Sequence, residues 1–75
     1  MFTKKRDAAV RDARLRELTA EVRRTRAQWE TAQAAFDALT DAGLLDQCIL
    51  ELSARRAGYC AALRRLKLYY YDQKE

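Results

Sequence analysis

Apolar residues recur along this chain at helical spacing in two runs, the first in alternating steps of three and four and the second over one broad face. The first is Leu15, Leu18, Val22, Thr25, Trp29, Ala32, Phe36 and Leu39. The second is Leu45, Cys48, Ile49, Leu52, Tyr59, Ala62, Leu63, Leu66 and Tyr70. Steps of this kind place each set on one face of a helix packed lengthwise against a neighbour. Between the runs lies Thr40-Asp41-Ala42-Gly43-Leu44, with one of the chain's two glycines. It reads as a turn, Asp41 or Gly43 capping the second helix and Asp46 lying in its first turn, where the helix dipole favours an acid. The expectation is a single helical hairpin domain over residues 1–75, with helix 1 at about 7–40, the turn at 40–44 and helix 2 at about 44–71.

A turn near residue 42 also predicts a register. Leu39 should meet Leu45, Phe36 should meet Cys48 and Ile49, and Ala32 should meet Leu52. Further out, Trp29 should meet Arg55 and Arg56, Thr25 Tyr59, Val22 Ala62 and Leu63, Leu18 Leu66, and Leu15 Tyr69 and Tyr70. Apolar residues oppose apolar residues at almost every layer, large against small in several, as interdigitated cores prefer. The fold class is therefore all-α, an antiparallel two-helix hairpin of coiled-coil character. The apolar face of helix 2 is wider than a two-stranded seam requires, which points to a four-helix-bundle dimer. One glycine does not break a helix, so a parallel coiled coil running through Ala42 and Gly43 is the structural alternative.

Composition agrees with helix. The chain has no proline, and Ala, Leu, Arg, Glu and Gln dominate; these residues lose little rotamer freedom in a helix. Seventy-five residues allow only a small core, and two helices alone yield few net kcal/mol, so a partner or a second copy would help. Gly58, inside helix 2, is read either as tolerated or as a site of close helix approach.

Little in the residues supports catalysis. There is no histidine, Ser53 has no base beside it, and no Gly-rich phosphate loop or paired acid cluster appears. Cys48 and Cys60 are roughly 18 Å apart on one helix at ~1.5 Å per residue, too far for a bridge within the chain. They read as reduced cysteines of a cytoplasmic protein. No catalytic, metal-binding or cofactor-binding residue is assigned, no cofactor or small-molecule substrate is expected, and the chain reads as a non-enzyme. The basic start lacks the apolar core of a signal peptide, and no apolar run suits a membrane span.

Charge layout is more informative. Residues 1–26 carry nine Lys or Arg and four acids, residues 27–54 carry five acids and no Lys or Arg, and residues 55–75 carry six Lys or Arg and two acids. Folding at the turn makes the open end basic and the closed end acidic. Three readings follow. Two hairpins can pair antiparallel, acidic tip to basic end. The basic end can meet nucleic acid, with Lys4, Lys5, Arg6, Arg11, Arg64, Arg65 and Lys67 on phosphates and Tyr69 or Tyr71 stacking on bases. Or the charges serve only solubility.

Arg56 falls inside the apolar face of helix 2 opposite Trp29, and Arg26 and Gln33 fall inside that of helix 1. A buried unpaired guanidinium is expensive, so Arg56 is expected to lie on the Trp29 ring, to bond Gln33 or Glu30, or to reach out from the seam edge. In the Tyr69-Tyr70-Tyr71 run, Tyr70 should point to the seam with its neighbours flanking it. The candidate interaction residues are Trp29, Arg56, Tyr59, Leu63, Leu66, Tyr69, Tyr70 and Tyr71. The function read from these features is that of a small helical interaction or adaptor protein, a homodimer or the ligand of a protein partner. A nucleic-acid-binding accessory protein is the alternative.

Residues Leu15 to Lys67 resemble the YaaL-like family, small uncharacterised proteins of the Firmicutes. The resemblance rests on Leu18 and Val22, on Trp29 followed seven residues later by Phe36, on Leu44-Leu45-Asp46 with Ile49 beyond the turn, and on Ala54, Arg56 or Ala57, Tyr59, Leu63 and Lys67. It implies a cytosolic bacterial protein with no established biochemical role. The terminal tyrosine run and the dense arginine of helix 1 are not features of that resemblance.

Overall fold

The computed structural model describes residues 3–73, with side chains described over 7–72. The chain forms an all-α hairpin: α1 spans Thr3–Asp37, a 3₁₀ turn spans Ala42–Leu44, and α2 spans Leu45–Gln73. The two long helices pack side by side in a rod of 63 × 17 × 13 Å. The parallel coiled coil is overturned: the chain reverses at the turn, and α1 and α2 contact each other along the rod.

The turn is built on a side chain rather than on glycine's freedom. After Asp37 the last helical turn tightens, with the Leu39 N–H donating to the Phe36 carbonyl at 3.1 Å. Asp41 then adopts an extended conformation (φ −100°, ψ 109°) and caps the 3₁₀ turn. Its Oδ1 accepts from the Gly43 N–H at 2.8 Å, the short-range bond that suits aspartate to turns. Neither glycine has a positive φ. A Cβ on Gly43 would meet only the Asp41 carboxylate, at 3.2 Å, and one on Gly58 would meet nothing within 4 Å. The expectation of a close helix approach at Gly58 therefore fails within the hairpin.

The core is thin. Leu18 (3% exposed) and Ala62 (1%) are the buried apolar residues. Val22, Trp29, Ala32, Phe36, Leu39, Cys48, Leu52, Tyr59, Leu63 and Leu66 are half-buried along the seam. Thr25 is tolerated there because its hydroxyl donates back to the Glu21 and Val22 carbonyls, at 2.8 and 3.1 Å, leaving its methyl for packing. Leu45 and Ile49, assigned to the seam by spacing, are exposed, as is Leu44. α1 ends at Asp37, so the connecting segment rather than a helix lies across from the first turn of α2.

Candidate interaction surface

At Trp29 the facing residue differs from the predicted one by about one helical turn. Tyr59, not Arg56, lies on Trp29: their rings stack with centroids 5.4 Å apart and planes 27° apart. Arg56 is exposed. Arg26 and Gln33 are satisfied along α1 itself, Arg26 by Glu30 at 3.2 Å and Gln33 by Asp37 at 3.0 Å. No guanidinium is left in the seam, because neutral Tyr59 fills the space without a desolvated charge.

Two polar ties cross between the helices. Arg65 Nη2 donates to Glu21 Oε2 at 2.6 Å, and Tyr69 Oη donates to the Arg11 carbonyl at 2.9 Å. Tyr69 is half-buried and is the seam tyrosine, whereas Tyr70 (52%) and Tyr71 (65%) are exposed. The expectation that Tyr70 faces the seam is thus corrected. Consecutive helical residues lie ~100° apart, so a modest phase error exchanges them.

The predicted site residues divide accordingly. Trp29, Tyr59, Leu63, Leu66 and Tyr69 belong to the hairpin's own seam. Arg56, Tyr70 and Tyr71 lie outside it. At the basic end, Arg11, Arg64 and Lys67 are exposed and Arg65 is engaged with Glu21. The side chains of Lys4, Lys5 and Arg6 lie outside the described residues. Sequence reasoning passed over Leu50 (71%), a large apolar side chain on the outer side of α2, as is Leu68 (55%). Their signal was a second apolar periodicity, offset from the seam.

Shallow grooves flank the seam. One is walled by Ala27, Thr31 and Ala35 on α1 and by Cys48, Glu51 and Arg55 on α2. The other lies beside Trp29 and Tyr59. Cys48 is half-buried and Cys60 exposed, both free. Among the described residues no cluster of three or more His, Cys, Asp or Glu could hold a metal ion, and no helix is long and apolar enough to cross a membrane.

A helical hairpin with a dry seam inside and apolar side chains left outside defines a small all-α protein. The chain belongs to the family described as protein of unknown function (DUF2508), which it matches over residues 1–71. No curated protein and no solved structure matches it.

Proposed function

We propose that this hairpin is a non-enzymatic interaction module that works through protein–protein contacts. The carrying observation is the pair of exposed leucines on α2, Leu50 and Leu68, which share one side of the helix, away from α1. Exposed apolar groups of this size, aligned rather than scattered, mark interaction surfaces. The grooves are lined by alanine, threonine, glutamine, Cys48, the Trp29 and Tyr59 rings and charges largely paired with each other, Arg26 with Glu30 and Arg55 with Glu51, which provide no nucleophile–base pair. The same reading makes the protein cytoplasmic and bacterial, without cofactor, and places it with YaaL-like proteins through the Trp29 to Phe36 spacing and the Leu44-Leu45-Asp46 turn exit.

The test is capture of partners from the native host by wild-type protein and by Leu50→Asp/Leu68→Asp, compared at equal helicity. Specific partners should be lost with the variant. Equal capture by both would remove the outer side of α2 from the function. The nucleic-acid alternative rests on exposed Arg11, Arg64 and Lys67. It is opposed by the interleaved acids Asp7, Asp12, Glu17 and Glu21 and by the engagement of Arg65 with Glu21. Fluorescence anisotropy with single- and double-stranded oligonucleotides at two salt concentrations decides. The protein reading expects no salt-dependent binding at micromolar protein, and binding that weakens steeply with salt would favour phosphate contacts.

A further inference from the structure

α2 carries two seams. The inner one faces α1. The outer one runs Leu50, Ala54, Ala57, Ala61, Arg64 and Leu68, in steps of four and three throughout. Ala61 is half-buried and the others are exposed. A strict alternation of this kind is the pattern of a two-helix interface, and the hairpin leaves it without a facing helix. We propose that its occupant is α2 of a second copy, packed antiparallel, with the two-fold axis passing beside Tyr59 between Gly58 and Cys60. This rests on the reading of the outer side of α2 as an interaction surface, and names what covers it.

Three observations single out a second copy. First, the seam is complementary to itself when reversed. Leu50 comes opposite the partner subunit's Leu68, Ala54 opposite the aliphatic stem of the partner subunit's Arg64, and Ala57 opposite the partner subunit's Ala61. Small residues at the centre let the helices approach closely, while leucines close both ends.

Second, Gly58 falls beside the axis. Glycine weakens a helix interior relative to alanine, and inside the hairpin nothing lies within 4 Å of where its Cβ would be. Its absent side chain serves no contact with α1. In the antiparallel register it comes opposite the partner's Cys60, on the flank of the contact, where its missing side chain leaves room beside the axis.

Third, charge selects the orientation. The first part of α2 carries Asp46 and Glu51, and its last part carries Arg64, Arg65 and Lys67. Antiparallel pairing sets the acidic first part of α2, with Asp46 and Glu51, toward the partner's basic last part, where Arg64 and Lys67 are exposed. Parallel pairing would set Glu51 against its own copy and the basic cluster against itself. The apolar layers do not distinguish these arrangements as sharply, and like-charge juxtaposition suppresses the wrong one.

The full chain is used for the test, in a Cys48→Ser background so that Cys60 is the lone thiol. Sedimentation equilibrium should show a dimer at tens of micromolar, and a short bismaleimide should join the two exposed Cys60 side chains. Leu50→Glu should raise the dimer dissociation constant by about tenfold or more, with helicity retained because Leu50 is outside the hairpin seam. Adding Leu68→Lys to Leu50→Glu should recover much of that loss, since the new charges face each other only in the antiparallel register. A monomer throughout that range overturns the second-copy occupant. So does a dimer indifferent to Leu50→Glu in which Cys60 does not crosslink. Either failure leaves the broader interaction reading intact, because that reading depends on partner capture and on the oligonucleotide experiment.

Discussion

The middle of the hairpin and its turn are built from similar residues and behave differently. At the middle, Leu18 and Ala62 are nearly sealed from solvent, and Arg65 reaches across to Glu21 from 44 residues away. At the turn, Leu44, Leu45 and Ile49 remain exposed, and the distinctive bond there is local, from Gly43 to Asp41. Covalent connection explains the contrast. Beside the turn the helices are held near each other by the chain itself, so apolar contacts contribute little extra to pairing. Further out, closing the long intervening segment carries an entropic cost, and burial must offset it. The hairpin therefore places its driest contacts away from its turn.

Leu18→Ala puts this contrast to its hardest test. Removing a nearly sealed leucine costs about 2–5 kcal/mol, comparable to the whole net stability of a unit this small. Urea unfolding followed by circular dichroism, at concentrations low enough to dissociate any dimer, should lose its cooperative baseline. Ile49→Ala near the turn should cost about 1 kcal/mol or less. Equal losses at the two sites would show that burial is not graded along the rod.

The turn has its own vulnerability. Asp41→Ala removes the acceptor for the Gly43 N–H and should destabilise the hairpin by about 1 kcal/mol, the usual scale for a cap. Asp41→Asn keeps an acceptor oxygen and should recover most of it. If Asp41→Ala is neutral in the same urea experiment, the turn is held by its neighbours rather than by this side chain.

These contrasts also show which parts of the fold were legible in the residues. The hairpin was, because two apolar runs at helical spacing flank a segment containing Asp41 and Gly43, and a register folded there opposes apolar to apolar at almost every layer. The register was so only in part. α1 ends at Asp37, and residues 38–44 absorb the reversal, so at Trp29 the expected partner slides by about a turn, while Arg65 meets Glu21 within two residues of the expected position. Tyr59 and Arg56 are three residues apart on neighbouring faces of α2, and spacing alone does not choose which covers Trp29. Desolvation chooses, since a ring stacks at no electrostatic cost. Leu50 was legible as an apolar residue but not as part of a surface, because a broad face reads as one stripe until the position of α1 divides it in two.

Gly58→Ala sharpens the same division. Nothing in the hairpin obstructs the added methyl, and relief of unfolded-chain entropy should stabilise the isolated hairpin by about 0.4–1 kcal/mol. Denaturation midpoints at low protein concentration measure this gain. A loss instead would mean that α1 approaches this point more closely in solution than Gly58's open surroundings indicate.

The smallest effect expected is at Arg65 and Glu21. Their 2.6 Å contact is short, but the two side chains are 45% and 31% exposed, so water screens the pair. A double-mutant cycle with Glu21→Gln and Arg65→Gln should return a coupling of about 0.2–1 kcal/mol that declines as salt is added. The cycle is needed because Glu21 also lies 3.8 Å from Arg24 on α1, and a single substitution would mix the two interactions. The pair sits away from the turn, where the chain does not enforce proximity, so even a small coupling acts on the half of the rod that must hold itself closed. A coupling above about 2 kcal/mol, insensitive to salt, would exceed the range for a wetted pair. It would place Arg65 under cover in solution, on the helix whose outer side the hairpin leaves bare.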